Sequence, residues 1–87
     1  MSKNLSGFVY RVKKHANGDM EISFMTEEEQ EIELHYFINP SKNGELPKEI
    51  AYTLAETLDR NIWSDISFDE NGIATSITLE EAESEED

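Results

Sequence analysis

Three segments in the first 38 residues alternate apolar with polar side chains at every second position, the period of a half-buried β-strand. Phe8, Tyr10 and Val12 alternate with Val9, Arg11 and Lys13, and Met20, Ile22 and Phe24 alternate with Glu21, Ser23 and Met25. In the third segment Ile32, Leu34, Tyr36 and Ile38 alternate with Glu31, Glu33, His35 and Phe37. Short turns separate the three, so they are expected to pair as antiparallel hairpins with one face toward a core and one toward water.

Turn chemistry sets the expected register. In HANGD, a three-residue loop from Ala16 to Gly18 places Val12 opposite Ile22 and Tyr10 opposite Phe24, with Gly18 left-handed. A two-residue loop would instead put the two apolar sets on opposite faces. A tip of Glu27, Glu28 and Glu29 places Ile32 opposite Phe24 and Leu34 opposite Ile22. Thr26-x-x-Glu29 also fits a helical capping box, but the alternation through Ile38 favours the strand.

The period changes after NPSKNGELP. Ile50, Leu54, Leu58 and Ile62 recur every four residues with Ala51 and Ala55 beside them, which predicts an amphipathic helix over about 47–63. Pro47 suits its first position, and Trp63 is expected to end it at the helix–sheet margin. DISFDENGIATSITL reads as a second hairpin with a four-residue loop, Asp69 to Gly72, pairing Phe68 with Ile73 and Ile66 with Thr75. The fold class expected is α+β: a small antiparallel sheet, βββ-α-ββ, with one amphipathic helix packed on one face. One domain covers 1–79, and EEAESEED over 80–87 reads as an acidic, disordered tail.

Charge narrows the function. The chain has 87 residues with 7 basic against 20 acidic side chains, a net charge of −13. Lys3, Arg11, Lys13 and Lys14 are the only charges in the first 14 residues, so 15–87 set three bases against all 20 acids, or −17. Such a surface is repelled by nucleic acid and anionic lipid and attracted to basic surfaces. There is no cysteine, hence no disulfide framework or thiolate metal site, and Tyr36-Phe37-Ile38 is as long as any apolar run. These features imply a cytoplasmic protein that binds no nucleic acid directly and no membrane.

No constellation for catalysis, cofactor binding or metal ligation emerges. His15 flanks the first turn and His35 the outer sheet face near Glu21, so the two are not expected to converge. No glycine-rich loop precedes a helix to seat phosphates. Ser67-x-Asp69-x-Asn71-Gly72 resembles the front of a calcium loop, but the twelfth position is Thr78 rather than a glutamate, so a hairpin is expected there.

The acidic side chains are the candidate partner-binding residues: Glu27, Glu29, Glu31 and Glu33, with Asp65, Asp69 and Glu70 near the second hairpin. Alternate strand residues stand about 6.6 Å apart on one face, a spacing close to that of successive phosphates. Glu45, Glu49, Glu56 and Asp59 are expected to extend the field along the helix. The reading is a non-enzymatic inhibitor that occupies the basic, nucleic-acid-binding surface of a partner protein. Its analogues, in size and charge alone, are small acidic DNA-mimic proteins of phages and mobile elements that blunt restriction, CRISPR or repair enzymes. The alternative is a structural or regulatory adaptor, or a homodimer, that binds through an edge strand or an apolar patch of Phe37, Met25 and Val9.

Overall fold

The computed structural model describes residues 3–60 and 62–81. Its elements run β1 (Lys3–Lys14), β2 (Met20–Thr26), β3 (Glu31–Tyr36), α1 (Lys48–Glu56), β4 (Ile62–Phe68) and β5 (Ala74–Glu81). The five strands form one antiparallel sheet in the order β3-β2-β1-β4-β5, as the sequence predicts for class and element order. β1 is the hub. Its first half, Lys3 to Gly7, pairs with β4, and from Gly7 onward it pairs with β2.

Both hairpins of the first three strands form at the expected loops. His15 and Asp19 close the first turn around Gly18 (φ 105°), and Val12 pairs with Ile22. In the second, Thr26 and Gln30 close a three-residue tip, and Phe24 pairs with Ile32 and Ile22 with Leu34. Thr26 contributes a side-chain turn rather than a helix cap, its Oγ1 accepting from the Glu28 and Gln30 amides. Glu29 takes the left-handed position (φ 64°) that glycine fills in the other two hairpins.

Four expectations are corrected. In β1 the register shifts between Val9 and Arg11, so Val9, not Tyr10, lies opposite Phe24. The extra residue of this bulge reverses the alternation: Val9 is buried and Phe8 is exposed. In the last hairpin Asp69 closes on Ile73, leaving the tip Glu70–Gly72, and a second shift pairs Phe68 with Ala74 and Ile66 with Ile77. The helix ends at Glu56 rather than near residue 63, and Ile62 and Trp63 belong to β4. Its last turn carries no basic residue, Glu56 faces the unfavourable end of the helix dipole, and the Thr57 hydroxyl bonds Leu54 O. The chain then leaves through Asp59 in a left-handed conformation (φ 68°). Glu80 and Glu81 extend β5 instead of opening the tail; the tail expected over 82–87 lies outside the described residues.

The core lies between the sheet and α1. Val9, Met20, Ile22, Phe24, Leu34, Tyr36, Ile66 and Phe68 face Ile50, Ala51 and Leu54 of the helix. Leu46 joins them from the segment before α1. Gly7 sits where β1 passes from one neighbour to the other, and a Cβ there would stand 1.9 Å from the Met25 carbonyl oxygen. Only glycine allows that approach.

The sheet bends around β1 until its two edges are linked by one short segment. Glu45 O accepts the Ala74 amide of β5, its carboxylate accepts the His35 amide of β3, and the Leu46 amide donates to His35 O. The result is a partly open barrel, clasped at Glu45. Among the described residues no helix is long and apolar enough to cross a membrane.

Candidate functional site: the outer sheet face

The face of the sheet away from α1 collects side chains in rows that cross the strands. Register defines each row. Across one run Glu31 of β3, Met25 of β2 and Phe8 of β1, and on the other side of the β1–β4 boundary Trp63 pairs with Glu80. The Phe8 and Trp63 rings bridge that boundary with centroids 6.4 Å apart and planes inclined at 42°. Phe8 is 40 % exposed, and Met25 and Trp63 are half-buried.

A neighbouring row joins Ser6, Asp65 and Thr78, and Glu27 stands beside Ser6, donating its amide to Ser6 O. The Ser6 hydroxyl donates to the Asp65 carboxylate and orients it. On the far side of the aromatic row, Arg11 lies opposite Ser23, which lies opposite Glu33. Lys13, Glu21 and His35 form the last row. The face therefore carries Arg11 and Lys13 on one side of the aromatic row, sharing their rows with Glu33 and Glu21, and Glu27 and Asp65 on the other.

The seven acidic residues singled out from the sequence separate accordingly. Glu31 and Glu33 are exposed on β3 and keep the strand spacing. Glu27 and Glu29 lie in the tip, where the chain reverses, so the four glutamates do not make one straight ladder. Asp65 is half-buried on β4, between Ser6 and Thr78. Asp69 and Glu70 belong to the β4–β5 turn at the other end of β4, and the Asp69 carboxylate is engaged by the Asn71 and Ile73 amides. That turn is a hairpin, as the sequence implies. Of the helix field, Glu49 and Glu56 lie on α1, whereas Glu45 precedes it as the clasp and Asp59 follows it.

The apolar patch expected from Phe37, Met25 and Val9 does not form. Val9 is in the core, and Phe37 lies beyond β3, stacked on His35 at 5.8 Å with the Lys42 ammonium 5.3 Å from its centroid. Phe8 and Trp63 take the place of Val9 and Phe37. The trace of this in the sequence is the unbroken apolar run Phe8-Val9-Tyr10, in which alternation alone does not decide which side chain faces the core.

Both histidines border Glu21, His35 as the sequence implies. His15 Nε2 is 3.2 Å from Glu21 Oε2, and His35 is the cross-strand partner of Glu21. His35 Nδ1 lies 3.2 Å from Glu45 Oε1. Among the described residues no group of three or more such side chains is arranged to hold a metal. Asp19 secures the first turn from outside: its carboxylate accepts the Ile38 amide, which holds it below the usual aspartate range, with Asn17 contributing. Comparison of the chain with known protein families, curated proteins and solved structures finds no match.

Proposed function

We propose that this protein is a non-enzymatic binding domain that lays its acidic outer sheet face against a basic surface of a partner protein and blocks that surface. A partner surface that binds nucleic acid is the natural target, because it already presents the lysines and arginines that such a face attracts. The observation that carries this reading is the gathering of Glu27, Glu31, Glu33, Asp65 and Glu80 on or beside the one sheet face that α1 leaves open. Glu31 and Glu33 stand on β3, Asp65 on β4 and Glu80 on β5, so binding need not order a flexible acidic segment. Action as an inhibitor of a nucleic-acid enzyme, in the manner of phage counter-defence proteins, is the specific form proposed.

A second reading is favoured by the exposed Phe8 and the half-buried Trp63 beside it. Phe8 and Trp63 sit in the same face, and such side chains anchor protein interfaces. An adaptor or homodimer contact through them would depend little on salt. The double reversal Glu31→Lys/Glu33→Lys separates the two. In the first reading the partner retained from lysate of the source organism elutes as salt rises, and the reversed variant retains at least about tenfold less of it. The wild-type protein also displaces nucleic acid from that partner. Retention unaltered by the reversal and by salt would discard the acidic-surface reading in favour of the adaptor.

A further inference from the structure

Neither charge nor apolar contact alone accounts for an exposed Phe8 ring beside a half-buried Trp63 ring, set between carboxylates. We propose that the outer face is an arginine-selective dock: the guanidinium of a partner arginine stacks on the Phe8–Trp63 pair and bonds the carboxylates beside it. This rests on the basic-partner reading above and specifies which basic side chain the face recognises.

The geometry supplies both halves of such a site. The Phe8 and Trp63 rings adjoin at 6.4 Å from strands β1 and β4, and Phe8 remains 40 % exposed. Glu31 closes the row on the β3 side beyond Met25, and Glu80 closes it beside Trp63 on β5. Asp65 is two residues from Trp63 on the same face of β4, about 6.6 Å along the strand. The Ser6 hydroxyl already fixes its carboxylate. A cation over these rings is thus within one strand-repeat of an oriented carboxylate.

Arginine fits this arrangement and lysine fits it less well. The guanidinium is planar, weakly hydrated and forked, so it can stack on a ring while pointing two N–H groups at a carboxylate. An ammonium is a strongly hydrated point charge and gains less from the ring face. The protein's own cations define the orientation. Arg11, opposite Ser23, lies in the row next to Phe8 on the side away from Asp65, and Lys13, opposite Glu21, in the row beyond it, so both repel a basic partner toward Glu27 and Asp65. Lys3 and Lys42 lie over other rings, Phe68 and Phe37.

Trp63 is the only tryptophan, so its emission reports directly on the site. The experiment titrates the full chain with nona-arginine and, separately, nona-lysine at moderate salt, following Trp63 fluorescence and binding heat. The expected result is about tenfold tighter binding of nona-arginine, with a Trp63 emission change that nona-lysine does not produce. Phe8→Leu is expected to remove most of that advantage while circular dichroism shows an unchanged sheet. Should this variant unfold, Asp65→Asn is the second probe, expected to narrow the same ratio. Equal affinities for the two peptides, or an arginine preference that survives both substitutions, overturn the stacking dock and leave the acidic-surface reading standing. Binding of neither peptide overturns both.

Discussion

Ser64 is fully buried on the core face of β4, between Gly7 and Leu79, and its hydroxyl has no hydrogen-bond partner. A buried donor without a partner is destabilising, so Ser64→Ala is expected to stabilise the fold by about 1 kcal/mol. The measurement is a higher urea midpoint at unchanged slope; a lower midpoint would mean that the hydroxyl has an acceptor after all. Side chains in β2 and β3 take the faces that their own alternation assigns, as Ile22, Phe24, Leu34 and Tyr36 show by their burial. Val9 and Phe8 do not, because one bulged residue inverts every position before it in β1. Trp63 lies in β4 rather than at the helix end for a different reason. A four-residue apolar spacing continues past Leu58 to Ile62, but nothing in that spacing records where the helix stops.

The elements differ in how they are held. β2, in the middle of one half, is paired along most of its length on both sides, whereas β3 is an edge strand protected at His35 by the Glu45 clasp. Glu45→Ala removes the acceptor of the His35 amide and loosens the bridge that Glu45 and Leu46 make between β3 and β5. The expected loss is about 1–2 kcal/mol. Amide hydrogen exchange localises it: the His35, Leu46 and Ala74 amides exchange faster, while those of the β1–β2 ladder change little. Uniform acceleration throughout the sheet would show instead that the clasp is part of the global fold. None of this could be read from the sequence, where Glu45 looks like one more acid before a helix. Its role arises from the bend that brings the two sheet edges to the same segment.

The whole molecule carries a net charge of −13, and self-repulsion opposes its compact state. Raising sodium chloride from about 0.02 to about 0.5 M screens that repulsion, so Tm is expected to rise by a few degrees. The same salt is expected to weaken binding to a basic partner. Opposite responses of stability and affinity in one titration are the signature of charges kept for a partner at the expense of the fold; a Tm independent of salt would remove the first half of that argument. The number, type and order of the elements follow from local patterns, because a period of two or of about four is a property of neighbouring residues and needs no knowledge of the rest of the chain. The acidity of the outer face of β3 follows too, since Glu31 and Glu33 lie on the wet side that its own alternation assigns. The phase of β1, the end of α1 and the meeting of Phe8 with Trp63 do not, for they depend on a bulge, on a helix exit and on strands paired across distant parts of the chain. Those contacts exist only once β1 has found both β2 and β4, and they turn a scatter of carboxylates into a face with aromatic rings at its centre.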